Sequence, residues 1–196
     1  MDHLIACAAD LFLTNGYHKV SLDRIAREAR VAVRTIYLKF GGKAGLFGAV
    51  VRTHRAELFA AMPHIMEPGE RELSDVLVSF AQHYLALVTS ERSLALLRLV
   101  IAEAPRAPDV CLSFMHSGPE TIVALLTDFF SHPQVLCQLR SDLSPEHLAR
   151  HLISCLLGDH LSRLLSYPTP GREAGLTPDI HTALTLFLKG ARRYLP

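Results

Sequence analysis

The chain lacks the signatures of secreted, membrane-embedded and catalytic proteins. Its four cysteines, Cys7, Cys111, Cys137 and Cys155, form no CxxC pair and lie in apolar segments. Nothing there suggests a disulfide framework, and free cysteines in such surroundings are commonly buried as small hydrophobes. No uncharged apolar run approaches the ~20 residues that span a bilayer. No basic-then-apolar leader stands at the amino terminus, where Asp2, His3 and Asp10 flank a weak apolar segment. The expected compartment is therefore the cytoplasm. There is no alternating strand pattern bounded by hairpin turns, no repeat and no low-complexity tract. A nucleophile elbow, a P-loop, an HExxH pair and a dinucleotide fingerprint are all missing, and carboxylates occur as scattered charges. The expectation is a protein that is not an enzyme and uses no cofactor.

What is present is a chain of 196 residues, 49% apolar and 20% charged, with the balance of a folded protein of one or two domains. The net charge of +1 conceals an asymmetry. Residues 1–55 carry nine Lys/Arg against four Asp/Glu, a net of +5, and residues 56–196 carry eleven against fifteen, a net of −4. A basic amino-terminal quarter on an acidic body is the footprint of a polyanion-binding module attached to a part with another task.

Apolar residues recur at helical spacing nearly everywhere, so the fold class is all-α with about nine helices. Leu4, Ala8, Leu11 and Phe12 make the first stripe, which Asn15-Gly16 ends. Ser21 caps a second helix with Leu22, Ile25, Ala26 and Ala29 inward. A turn near Arg30 to Ala32 leads to a short third helix over about Val33–Lys39, with Ile36 and Phe40 inward. Gly41-Gly42 breaks the chain before a fourth helix from Lys43 to about Met62. Pro63–Gly69 reads as a linker. Later helices carry Leu73 to Val88, Leu94 to Ile101, and a segment ending in Phe129-Phe130 that is interrupted near Gly118-Pro119. An eighth runs from about Pro145 to Tyr167, Pro168–Pro178 is the longest loop, and a ninth carries Ile180 to Leu195.

Ser21–Phe47 is the most informative stretch. Two short helices joined by a tight turn, with cations on the second, are how a helix-turn-helix presents a recognition helix to the major groove of DNA. Arg34 and Thr35 lie near the start of the third helix, where base edges are met. Arg34 suits a bidentate bond to guanine, and Thr35 a phosphate or a thymine methyl. Tyr37 offers a hydroxyl to phosphate, and Lys39 and Lys43 flank the helix as backbone anchors. Lys43 opens the fourth helix, whose amide dipoles favour an anion, and Ser21 can cap its helix and bond a phosphate together.

These residues resemble the amino-terminal domain of TetR-type transcriptional regulators. The matching pieces are Ala8–Tyr17 (AADLFLTNGY), Ser21–Ala29 (SLDRIAREA), Val33–Phe40 (VRTIYLKF) and Gly42–Val50 (GKAGLFGAV). The stretch LRLVIAEAPRAPDV, with FMHSGPE, resembles the carboxy-terminal type of the AefR-like subgroup. The resemblance implies a DNA-binding domain over residues 1–50 and an effector-binding and dimerisation domain over residues 51–196. It implies operator contacts at Val33, Arg34, Thr35, Tyr37 and Lys39, and a phosphate contact at Lys43. Three residues depart from the family pattern. Arg30 stands at a turn glycine, Ala32 replaces the Ser/Thr cap of the recognition helix, and Gly42 replaces a polar cap.

One recognition helix reads few base pairs, so helix-turn-helix proteins dimerise to place two of them. The last two helices are the candidate interface, through Leu152, Leu156, Leu161, Leu164, Leu184, Phe187, Leu188 and Ala191. Helices four to eight are expected to enclose a mostly apolar pocket lined by Phe80, His83, Tyr84, Leu97, Arg98, Met115, Phe129 and His160. The family resemblance implies a small-molecule effector there. The reading is a ligand-responsive repressor that binds a palindromic operator as a homodimer, with no membrane partner. Two alternatives stand beside it. One is a helical ligand-binding protein with a degenerate DNA module, favoured by Arg30 and Ala32. The other is a metal- or redox-responsive regulator, since His147, His151 and Cys155 share a helix face with Asp159 next along it. One straight helix usually supplies only two ligands, so no metal residue is assigned.

Overall fold

The computed structural model describes residues 2–59, 62–67, 69, 71–166 and 179–193. Among these it is all-α, with eleven longer helices and two four-residue turns. Among the described residues the only bridge pairing is an isolated antiparallel contact between Leu139 and Arg192. Two compact units account for the packing: Met1–Glu57 with Glu91–Thr121, and Leu58–Ser90 with Ile122–Pro196.

The first unit holds α1 (Asp2–Asn15), α2 (Leu22–Glu28), α3 (Val33–Phe40), α4 (Lys43–Phe59), and two helices placed later in the chain. Gly16, at a φ of +82°, ends α1 and donates to the Phe12 carbonyl at 2.9 Å. Ser21 caps α2, its Oγ accepting from the Arg24 N–H at 3.2 Å. The core combines small residues (Ala8, Ala9, Ala26, Ala29) with a cluster of Phe12, Tyr17 and Phe47, whose ring centroids lie 5.2–5.8 Å apart. Leu96, Val100, Ala107 and Val110 belong to the same core. Leu96 and Val100 come from the helix Glu91–Glu103, Val110 from the helix Pro108–Ser117 and Ala107 from its N-cap; α5 (Met62–Ile65) and α6 (Leu73–Val88) precede both in the chain, so these two are α7 and α8. Packing therefore cuts the chain differently from the motif-based division at residue 50, because α7 and α8 bury their apolar faces with the amino-terminal helices.

The second unit contains α5, α6, most of α9 (Pro119–Ser131), α10 (Pro133–Leu136), α11 (Pro145–Leu157), α12 (His160–Ser166) and α13 (Ile180–Ala191). α6, α11 and α13 pack on one another. Phe80 stacks on Tyr84 at 5.5 Å, and Phe130 meets Phe129 and Phe187 at 5.6 and 6.2 Å. α8 and α9 together form a stretch, Pro108–Ser131, that is long and apolar enough by length and composition to cross a membrane. It is broken at Gly118, and Ile122, Leu126, Phe129 and Phe130 lie in the core of the second unit.

Three sequence expectations need correction. The presumed linker Pro63–Gly69 contains part of the helical turn α5, and Met62 and Met66 are buried in the core. The single helix expected over Pro145–Tyr167 is two, because Gly158 takes a φ of +47° and closes α11 with an N–H bond to Ser154 at 2.9 Å. The third concerns the proposed dimer residues. Leu152, Leu156, Leu164, Leu184, Phe187, Leu188 and Ala191 are buried within the subunit, and Leu161 is half-buried. Helical periodicity marks an apolar face without saying whether the chain itself or a second chain covers it. The expected loop Pro168–Pro178 and Leu195 lie outside the described residues.

Candidate nucleic-acid interface

The turn between α2 and α3 is built by backbone bonds. Arg30 donates to Arg27 at 3.3 Å and Val31 to Ala26 at 2.9 Å, the paired bonds of a Schellman ending. That ending requires a left-handed residue, and Arg30 occupies it at a φ of +55°. A side chain in this region costs roughly 1–2 kcal/mol that glycine avoids. Ala32 then serves as the N-cap of α3 with no side-chain bond to offer.

α3 is held by few residues. Ile36 is fully buried, with Val33 and Phe40 partly buried against the same core. Opposite Ile36, Arg34 and Leu38 are exposed, as are Tyr37 and Lys39 on the flanks of the helix, and Thr35 is half-buried. At the carboxy end Gly41, at a φ of +71°, caps the helix through a bond to the Tyr37 carbonyl at 2.9 Å. Gly42 follows at +126°, so at this position the missing polar cap is a backbone requirement. A Cβ on Gly45 would collide with the Phe40 carbonyl. The start of α4 thus abuts the end of α3 backbone to backbone, and this fixes the angle at which α3 is presented.

Lys43 is more committed than its sequence position suggests. Its ammonium lies 4.3 Å from the centroid of the Tyr17 ring and donates to the His18 carbonyl at 3.4 Å. Burial lowers its pKa, with Glu103 and Asp109 pulling the other way. Burial, with the same two carboxylates, pushes the Tyr17 phenol far up. Glu103 also accepts the His18 N–H at 3.2 Å, tying the end of α7 to the turn after α1. Ser21 remains exposed beside α2, where Arg24 pairs with Glu28.

From its first turn onward α4 forms a polar seam with the helices of residues 91–121. Ser113 Oγ donates to the Ala44 carbonyl at 2.9 Å, Arg52 to Ser117 Oγ at 3.0 Å, and His54 shares a 2.8 Å bond with Ser93. Arg55 bonds Thr121. A Cβ on Gly48 would collide with Ser113 Oγ. Sequence reasoning missed this seam, since serines and glycines on apolar helices carry no distance information.

Residues 4–50 match the TetR family of bacterial regulatory proteins, and residues 75–192 match the carboxy-terminal domain of AefR-like transcriptional repressors. The chain belongs to the TetR family of transcriptional regulators. Its fold is shared by a TetR-family regulator from Mesorhizobium loti at 23% identity and a TM-score of 0.77, covering 98% of this chain and 96% of that one. The flavonoid-responsive regulator FrrA is similar at 27% identity and a TM-score of 0.77, covering 99% and 97%. NalD of Pseudomonas aeruginosa, the secondary repressor of a multidrug efflux pump, is similar at 20% identity and 0.57, covering 99% and 96%. No curated protein matches the chain.

The candidate effector residues of this TetR-family regulator divide between the units. Phe80, Tyr84 and Phe129 are buried in the second unit, where burial pushes the Tyr84 phenol up to about 12. His160 is half-buried there. His83, expected in a pocket wall, is exposed, with Nδ1 2.9 Å from the Ser79 carbonyl, since it falls at the edge of the α6 stripe. Leu97 and Arg98 are partly buried on α7 in the first unit, and Met115 on α8 is exposed. His147, His151 and Cys155 line an exposed face of α11, and Asp159 lies beyond the Gly158 break. Among the described residues, no three His, Cys, Asp or Glu gather as a metal site.

Proposed function

We propose that the chain is a ligand-responsive repressor that binds a palindromic operator as a homodimer, works in the cytoplasm, and is released by a small, largely apolar effector. The observation that carries this reading is α3, anchored by Ile36 and offering Arg34, Tyr37 and Lys39 to solvent. Arg34 reads a base edge near the helix start. Thr35, Tyr37 and Lys39 hold phosphates, as does Ser21 from the start of α2, and Val33 seats the helix at the groove. Lys43 spends one donor on His18; an ammonium has three, which leaves it able to meet a phosphate. The left-handed turn is made despite Arg30, which speaks against a decayed DNA module.

Two copies of α3 are needed to read two half-sites. Dimerisation falls to the outward faces of α11 and α13, in place of the core residues first considered. His147, His151, Ser154 and Cys155 recur at helical spacing on α11, and Thr182, Thr185, Leu186 and Lys189 on α13. Leu186 is 65% exposed, an apolar side chain that a second subunit would cover.

The effector acts on the body, with Phe80, Tyr84, Phe129 and His160 of the second unit as candidate contacts. FrrA, the flavonoid-responsive neighbour, is in keeping with an aromatic ligand. The α4 seam is the route of coupling, since a shift of α7, α8 or the first turn of α9 is felt at Ala44, Gly48, Arg52, His54 and Arg55. A coupling of about 1–3 kcal/mol suffices for a change of about 5- to 150-fold in operator affinity. No catalytic step is assigned. Selection of bound duplexes from a random pool tests the reading: a two-fold symmetric, salt-sensitive consensus is expected. Arg34→Ala should relax base preference at one position, while Lys39→Ala weakens all sequences alike. Absence of any salt-sensitive duplex binding would overturn the proposal.

A further inference from the structure

Leu38 is the most exposed large apolar side chain among the described residues, with 75% of its surface open to solvent. Its place on α3 is specific. At 3.6 residues per turn it lies about 40° from Arg34 and about 60° from Thr35 around the helix axis. Ile36, the buried anchor, lies about 160° away on the opposite side. Leu38 therefore stands near the middle of the face that α3 turns outward, one turn after Arg34.

A single exposed leucine elsewhere on a protein needs no explanation. At the centre of a DNA-reading face it has a chemical consequence. The major-groove edges of the bases offer donors and acceptors, and one apolar group only, the 5-methyl of thymine. An isobutyl group pressed against an amino or carbonyl edge would strip that edge of water and return no hydrogen bond. Against a thymine methyl, both partners leave water together.

We propose that Leu38 is the thymine-reading residue of the interface: its isobutyl group seats against one thymine 5-methyl in each half-site and fixes a T·A pair there. The inference rests on the regulator reading above and adds a residue that the family motif does not single out. Arg34 and Leu38 then divide the work. The guanidinium recognises guanine through hydrogen bonds, and one helical turn later the leucine recognises thymine by shape and apolarity.

The test uses the full-length protein and a duplex recovered by selection. Each thymine in turn is replaced by deoxyuridine, which removes the methyl and leaves every hydrogen-bonding group in place. Wild-type protein is expected to lose affinity about fourfold at one thymine per half-site, the loss of one buried methyl, and about fifteenfold when both half-sites are changed. Leu38→Ala and Leu38→Gln should bind thymine and uracil duplexes equally at that position while keeping the wild-type preference at the Arg34 position. Because Leu38 is exposed, both variants should keep the wild-type melting temperature. If wild-type protein binds the selected duplex but no thymine-to-uracil change matters, or if Leu38→Ala keeps the wild-type discrimination, the thymine assignment is wrong and the DNA-binding reading stands. If Leu38→Ala weakens every sequence equally, Leu38 packs on the sugar-phosphate backbone and the assignment is also wrong. If wild-type protein binds no duplex in a salt-dependent way, the regulator reading falls and takes this inference with it.

Discussion

The two packing units are built on different tolerances. In the first, short helices approach closely over small residues, with Ala8, Ala9, Ala26 and Ala29 in the core and Gly45 and Gly48 at contacts where a Cβ has no room. In the second, helices are held apart by large side chains, among them Phe80, Phe130, Leu148 and Leu152, all fully or almost fully buried. Both units lose stability when large buried side chains such as Phe47 or Phe130 are cut back, and the first also fails when atoms are added at its glycine contacts. Close approach suits a module that must present α3 at one fixed angle, because a backbone contact leaves less freedom than a flexible side chain. Large-residue packing suits a body that tolerates rearrangement, since volume-conserving changes in such cores cost little.

Substitutions can break or sharpen this contrast. The largest effect belongs to Phe130→Ala, which should destabilise the protein by about 3–5 kcal/mol in chemical denaturation, because its ring is fully buried beside Phe129 and Phe187. Gly45→Ala adds one methyl and should cost about 1–3 kcal/mol, with loss of operator affinity larger than the loss of stability would explain. A Gly45→Ala protein with wild-type melting and binding would show that the α3–α4 corner is softer than the Phe40 contact implies. Arg30→Gly should act in the opposite sense and stabilise by about 1 kcal/mol, the relief of a left-handed side chain less the added chain entropy of glycine. Its melting temperature should rise unless Arg30 earns its place by holding a phosphate, in which case DNA affinity falls as stability grows. The smallest effect is expected of Ala32→Ser, which supplies the missing cap of α3 and should add about 0.5–1 kcal/mol.

Much of the first unit was legible residue by residue. Asn15-Gly16, Ser21 and Gly41-Gly42 are local features, and local backbone chemistry is what a sequence records most directly; the left-handed turn at Arg30 was visible only through the family resemblance. The exposure of Arg34 follows from the same period that buries Ile36. Leu38 escaped notice because an apolar residue on a reading face looks like a core residue until its position around the helix is fixed. In the body, the stripes on α11 and α13 were found but assigned to a second subunit, whereas the chain covers them itself. The apolar period runs on through Gly158, whose φ of +47° makes it a break.

By itself, then, the order of residues determined the helical class, the caps and turns of the amino-terminal module, and the cations that α3 carries. These depend on torsion preferences and periodicities that act over a few neighbouring positions. Only the tertiary structure decided that α7 and α8 pack with the amino-terminal helices, that Lys43 rests on Tyr17, and that Leu152, Leu156, Leu184 and Leu188 lie inside. Each of those outcomes joins surfaces distant along the chain, and the free energy of burying apolar area does not depend on which distant segment supplies the cover.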